Sequence, residues 1–269
     1  MTTLLLVGCG NMGFAMLKGW LGADPGLDVH VVEPTDALRA RAADLGANAV
    51  SAVTDLPGDL APTLVILAVK PQVMGDVVPA YAGMASGPAT FVSVAAGTTI
   101  ATLAAMLPGP TPIIRAMPNT PSAIGHGMFV CCANDHTGAA ARDLTTQLLA
   151  TSGLVDWIDD EGLMDAVTAL SGSGPAYVFH MIEAMTAAGV DVGLAPELAA
   201  KMAMQTVMGA GALAAQSADP PSRLREQVTS PGGTTAAGLS VLMGEERLTA
   251  LMTDTVRAAR DRGRELAKG

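Results

Sequence analysis

The stretch Ser230-Pro231-Gly232-Gly233-Thr234-Thr235 gathers hydroxyls and glycines just before an apolar small-residue run, Ala236 to Met243. Those residue types in that order suit the capture of an anion. Pro231 fixes its own φ and biases Ser230 toward an extended conformation, while Gly232 and Gly233 let successive backbone N–H groups converge on one point. A helix through the following run adds its N-terminal dipole, and the Thr234 and Thr235 hydroxyls add directional donors. A carboxylate fits such a site. An ordinary glycine-stabilised helix cap uses the same residues.

A second constellation stands at the other end of the chain. The apolar run Thr3-Leu4-Leu5-Leu6-Val7 leads directly into Gly8-Cys9-Gly10-Asn11-Met12-Gly13, the GxGxxG spacing. Gly8 permits a tight turn, Gly10 lets the backbone approach a pyrophosphate, and Gly13 allows the helix Phe14 to Leu21 to pack closely on the strand. Val29-His30-Val31-Val32 then ends in Glu33, twenty residues after Gly13, where an acidic partner for a ribose hydroxyl is expected. Dinucleotide binding follows.

These residues need a frame to hold them. After Glu33 come a helical pattern, Asp36 to Leu45, and apolar runs at Leu64 to Val69, Thr90 to Val94 and Ile113-Ile114, with helical stretches between. Met128 to Cys131 and Gly153 to Trp157 read as two further strands around a helix, Thr137 to Ala150. The alternation predicts a parallel sheet with crossover helices. Beyond about Asp159 the strand pattern stops. Gly174-Pro175 opens a helix in which Val178, Phe179, Ile182, Met185 and Gly189 recur at helical spacing; Pro196 and Pro220-Pro221 open others, and Glu245 to Ala267 forms a charged closing helix. This half is rich in methionine and poor in charge, which suits either a plain core or a dimer core.

Composition narrows the classes. With 269 residues, half of them hydrophobic, the chain can bury a substantial core. A net charge of −10 argues against a nucleic-acid partner, which would require a basic face. Cys9, Cys131 and Cys132 suggest no disulfide framework, so a reducing, cytoplasmic location is expected. No segment reads as targeting. The most apolar long stretch, Ala195 to Ala215, carries Glu197, Lys201 and Gln205, which would be costly in a bilayer, so no membrane span is expected. His30, His126, His136 and His180 form no ligand-spaced cluster, and no metal is expected.

Taken together, six motifs resemble those of the pyrroline-5-carboxylate reductase family, over nearly the whole chain. They are the Gly8 to Gly13 turn, Ala68-Val69-Lys70-Pro71-Gln72, Val94-Ala95-Ala96-Gly97-Thr98, Arg115-Ala116-Met117-Pro118-Asn119-Thr120-Pro121, Ser171 to Tyr177, and the Ser230 to Thr235 loop. The resemblance implies an α/β fold: an N-terminal Rossmann dinucleotide-binding domain, residues 1–158, followed by an all-helical substrate-binding and dimerisation domain, residues 159–269. It also implies a homodimer whose dimers can assemble further.

Each motif also has its own local reading. Lys70 and Pro71 follow the strand end Ala68-Val69, the side on which open α/β sheets bind ligands, so Lys70 is aimed at the cofactor; a lysine capping a strand is the alternative. Ala95-Ala96-Gly97 ends another strand with minimal side chains, which suits either close approach of a dinucleotide or a plain turn. Asn119, between two prolines, suits either an amide near the nicotinamide carboxamide or a structural turn. Glu161 matches a family position near the imine substrate, against the default of a solvated helix-start carboxylate. Where the family often has Asn before the anion loop, this chain has Gln227.

By resemblance, hydride passes from NAD(P)H to C5 of 1-pyrroline-5-carboxylate, giving L-proline. Ser230, Gly232, Gly233 and Thr234 would bind the carboxylate and Thr235 the ring nitrogen, with the imine carbon about 3 to 3.5 Å from nicotinamide C4. Glu33 tilts the cofactor toward NADH, because a carboxylate repels the extra phosphate of NADPH, whereas Arg39 and Arg41 on the next helix could turn toward that phosphate. One alternative is a hydroxyacid dehydrogenase of the same two-domain plan. That family places a lysine four residues after the glycine pair, where this chain has Val178. The other alternative is a non-catalytic dinucleotide-binding protein.

Overall fold

The computed structural model describes residues 2–266. They form two compact units: one comprises the chain up to Ser173 together with the segment from Ala259, and the other is Gly174–Ala258.

The first unit is built on an eight-stranded sheet in the order β3-β2-β1-β4-β5-β6-β7-β8. Its strands are β1 (Thr3–Val7), β2 (Asp28–Val32), β3 (Asn48–Val50), β4 (Leu64–Leu67), β5 (Thr90–Ser93), β6 (Ile113–Met117), β7 (Gly127–Ala133) and β8 (Gly153–Trp157). Its helices are α1 (Asn11–Ala23), α2 (Asp36–Asp44), α3 (Met74–Val77), α4 (Ile100–Met106), α5 (Ala139–Ala150) and α6 (Met164–Val167). Side chains of one strand alternate between two apolar layers. Leu4 and Leu6 join Met16, Leu17, Trp20 and Leu149 on one face, and Leu5 and Val7 join Met74, Val78, Tyr81 and Leu103 on the other. Covering both faces is what makes Leu4-Leu5-Leu6 a continuous apolar run instead of an alternating one.

Two features depart from the sequence reading. β7 runs antiparallel to β6, with Arg115 opposite Cys132, so the sheet is mixed. The connection after β6 holds only a 3₁₀ turn, Thr120–Ile124, which is too short for the crossover a parallel neighbour requires. The strand β3 was not expected; its three residues, Asn48, Ala49 and Val50, carry too little pattern to announce a strand. By packing, the first unit extends to Ser173. Residues 161–173 are tied to the first unit by side chains: Glu161 bonds Arg115 and the Ile100 amide, and Asn119 bonds Ser171.

The second unit contains α7 (Gly174–Asp191), α8 (Pro196–Gln216), α9 (Pro221–Gln227), α10 (Thr234–Met243) and the start of α11 (Arg247–Leu266). Pro196 and Pro221 open their helices, where a missing N–H costs nothing. Gly189 lets α7 approach α8, since a Cβ there would lie 3.0 Å from that of Ala199. The charged closing helix begins at Arg247, because Glu245 and Glu246 are left-handed, at φ 55° and 53°. Its expected end, Ala267, lies outside the described residues.

Candidate active site

The strand order reverses at β1, with β2 on one side and β4 on the other, which is where open sheets of this kind form a ligand crevice. The glycine turn sits there. Gly8 adopts φ +88°, and a Cβ on it would lie 2.8 Å from Val69 Cγ1 and 3.0 Å from the Ala68 carbonyl oxygen. A Cβ on Gly13 would collide with the Gly8 carbonyl oxygen, so both glycines are demanded by packing. Gly10 differs: it caps α1 and has no neighbour within 4 Å of where its Cβ would be. With no side chain capping α1, the amides of Asn11, Met12 and Gly13 are left for a ligand. This open, unbonded helix start fits a pyrophosphate.

Glu33 is buried just beyond β2, and both of its oxygens are engaged. Oε2 accepts from the Cys9 amide at 2.8 Å and Oε1 from the Thr35 amide at 2.9 Å. The carboxylate therefore holds the glycine turn, while each oxygen retains a lone pair that a ribose hydroxyl can use. Arg41 grips the turn as well. Its Nη2 donates to the Cys9 and Gly10 carbonyls at 2.8 and 3.1 Å, and its guanidinium lies 4.1 Å from the Phe14 ring centre. Arg39 donates to the Glu33 and Pro34 carbonyls, both at 3.1 Å, and pairs with Asp36.

Lys70 is exposed beyond β4 and caps a 3₁₀ turn, Pro71–Val73. Beyond β5, Ala95 is buried and donates its N–H to Ser93 Oγ at 3.3 Å, Ala96 is exposed, and Gly97 turns the chain at φ +75°. Lys70 and this loop thus follow the carboxyl ends of neighbouring strands. Asn119 commits its side chain to the protein: Oδ1 accepts from the Met128 amide at 2.9 Å, and Nδ2 donates to the Ser171 carbonyl and Oγ at 3.3 Å each. It links the loop after β6 to β7 and to the Ser171 motif.

Glu161 is not the solvated carboxylate that its place at a helix start suggests. Its Oε1 accepts from the Ile100 amide at 2.8 Å and from Arg115 Nη1 at 3.0 Å. Arg115, on β6, is 4% exposed. Sequence reasoning quoted Arg115 within a motif and gave it no role, although an arginine inside an apolar strand demands a buried partner.

In the second unit, Gly233 N donates to the Ser230 carbonyl at 3.0 Å around Pro231 and Gly232, with Gly232 at φ +69°. Pro followed by a positive-φ Gly is the pattern of a type II turn. α10 begins at Thr234, and its first internal bond runs from Ala237 N to the Gly233 carbonyl at 3.1 Å. The amides of Thr234, Thr235 and Ala236 therefore stand at a bare helix start. Ser230, Gly232, Thr234 and Thr235 are exposed and Gly233 is half-buried. Gln227 donates to Asp219 at 2.8 Å.

The three cysteines are free and buried, and burial pushes the Cys9 thiol up to about 11 and that of Cys131 to about 12. Among the described residues, no group of His, Cys, Asp and Glu could hold a metal, and no helix is long and apolar enough to cross a membrane.

Residues 161–266 match the family model described as pyrroline-5-carboxylate reductase dimerisation, and residues 3–97 match that described as NADP oxidoreductase coenzyme F420-dependent. Pyrroline-5-carboxylate reductase of Pseudomonas aeruginosa is 38% identical, covering 98% of this chain and 97% of the relative. That of Pisum sativum is 36% identical, covering 98% and 96%. The solved pyrroline-5-carboxylate reductase of Coxiella burnetii superposes with a TM-score of 0.93 at 30% identity, over 98% of both chains. The Plasmodium falciparum pyrroline carboxylate reductase, solved with NADP bound, gives 0.81 at 28% identity, over 99% of this chain and 98% of that one. Likeness sustained at this level from the glycine turn to the last helix settles the kinship: the chain belongs to the pyrroline-5-carboxylate reductase family.

Proposed function

We propose that this protein is an NAD(P)H-dependent imine reductase, an oxidoreductase of the CH–NH class, that reduces the C=N bond of 1-pyrroline-5-carboxylate to L-proline, the last step of proline biosynthesis. The observation that carries the reading is the Ser230–Gly233 turn opening α10 on three unbonded amides. A protein that merely bound a dinucleotide would have no use for a second anion cradle. Bound reduced nicotinamide supplies hydride, so the protein's task is orientation. Gly8, Gly10, Asn11, Met12 and Gly13 hold the pyrophosphate, and Glu33 the adenosine ribose. The Ala68–Pro71 and Ala95–Gly97 segments flank the rest of the dinucleotide. Ser230, Gly232, Gly233 and Thr234 bind the substrate carboxylate, and the Thr235 hydroxyl bonds the ring nitrogen that is protonated on reduction. The hydroxyacid dehydrogenase alternative lacks its lysine, for Val178 stands in that place on α7.

A modest preference for NADH goes with this reading. It is supported by the carboxylate at the end of β2 and by the commitment of Arg39 and Arg41 to backbone carbonyls, which leaves neither guanidinium idle for a 2′-phosphate. The second unit forms the homodimer interface, and dimers can assemble further; support for the dimer comes from its exposed Phe179, Met204, Met208 and Leu251. A cytoplasmic setting suits three free, buried cysteines. Oxidation of NADH and NADPH, followed spectrophotometrically with 1-pyrroline-5-carboxylate and with a panel of 2-keto acids, tests the whole reading. Turnover of the keto acids alone would replace it, and a clear NADPH preference would overturn the cofactor assignment.

A further inference from the structure

The loop beyond β5 has a weakness: Ala95 is packed in the core, but the exposed Ala96 and the half-buried Gly97 are too small to fix their own position by packing. The upstream end is held by β5 and by the Ala95 N–H to Ser93 Oγ bond. The downstream end is held at Ile100, the first residue of α4, whose amide donates to Glu161 Oε1. That same oxygen receives Arg115 Nη1 from β6. One carboxylate atom therefore ties together the start of α4, the neighbouring strand β6 and the 3₁₀ turn Glu161–Leu163. Arg115 is nearly fully buried, so its charge must be compensated where it stands, and this holds Glu161 in place in turn.

We propose that Glu161 and Arg115 are positioning residues that set the Ala95–Gly97 loop for the dinucleotide, and that Glu161 is not a substrate ligand. The inference deepens the reductase reading and rests on it for the loop's role. Removing the bridge frees the start of α4 and lets the loop wander from the crevice edge. The loss falls on dinucleotide binding, while the anion loop of the second unit keeps its own turn and helix.

The test uses the full-length protein with Glu161→Ala and Glu161→Gln. Dissociation constants for NADH and NADPH are read by fluorescence titration without substrate, and KM for the imine is read at saturating dinucleotide. Loss of the bridging bonds in Glu161→Ala should weaken dinucleotide binding about tenfold and leave the imine KM within about twofold. Glu161→Gln keeps the shape and an acceptor oxygen for the Ile100 amide but not the charge that faces Arg115, so it should fold and recover part of the affinity lost in the alanine variant. A raised imine KM with unchanged dinucleotide affinity would make Glu161 a substrate ligand and overturn the proposal. Unchanged affinity in both variants, or no recovery with Gln, would overturn it too. A wild-type protein that binds dinucleotide yet fails to reduce the imine would count against the reductase reading, and the titration would still decide the bridge.

Discussion

In the first unit, three consecutive leucines, Leu4, Leu5 and Leu6, are wholly buried; in the second, Phe179, Met208 and Leu251 are 59%, 58% and 63% exposed. Both stretches are strongly apolar, yet one consumes its apolar surface internally and the other displays it. A sheet covered by helices on both faces can close a core within one chain. In the second unit, α7, α9 and α10 bury no residue fully, and α8 buries only Ala199 and Ala203. Its helices are short of a surface to pack on. Apolar content predicts burial, but it does not say where the covering surface comes from.

The largest effect that would sharpen this contrast is Leu251→Asp. If a second copy covers that leucine, the substitution leaves an uncompensated charge in a dry interface, at about 3 to 5 kcal/mol, and the dimer should dissociate in sedimentation velocity. Leu154→Asp is the control. Leu154 lies on β8 in the first unit and is 75% exposed, so its replacement should change stability by about 0.5 kcal/mol or less in thermal melts. Equal behaviour of the two variants would show that Leu251 is no more covered than Leu154.

Within the closed core, Leu6→Ala should cost about 3 kcal/mol in denaturant unfolding, with no change of oligomeric state at matched folded fraction. A loss near zero would mean that the sheet is looser than its burial suggests.

At the sites themselves the effects are smaller. Thr235→Val keeps the shape and removes an exposed hydroxyl. It should lower kcat/KM for the imine by about 1 to 3 kcal/mol of transition-state stabilisation while NADH affinity stays constant. An unaltered specificity constant would take Thr235 out of the mechanism. Glu33→Ser should shift the ratio of kcat/KM values toward NADPH by about 1 to 2 kcal/mol, because repulsion of the 2′-phosphate is relieved. The same change removes the carboxylate that holds the Cys9 amide, so affinity for both cofactors should fall together with the shift. Smallest of all, mild alkylating reagent at pH 8 should label none of the three cysteines in the native protein: they are buried, and thiols held up at about 11 to 12 carry almost no thiolate there. Rapid labelling would show that the first unit opens readily.

Much was legible along the chain because it is local. Strand, glycine turn and helix follow one another from Thr3 to Ala23, and the steric needs of Gly8 and Gly13 are met by neighbours in the same βα turn and at Ala68 and Val69. The Ser230–Thr235 turn is likewise written in its own residues, since Pro then Gly sets a type II turn and the helix follows at once. Family resemblance added the substrate and the roles of particular residues, which periodicity cannot supply.

What tertiary structure alone decided lies in pairs far apart in sequence. Nothing local announces that Glu161 meets Arg115 and Ile100, that Asn119 spends its amide on Met128 and Ser171, or that Arg41 reaches back to the glycine turn. Nor do the three residues of β3 or the reversal of β7 show in a hydrophobic pattern, because direction depends on connection length and on which edge remains open. Periodicity reports which face of an element is apolar; the partner that a buried charge or amide finds is fixed by how distant elements are brought together, and that is set by the packing of the whole sheet.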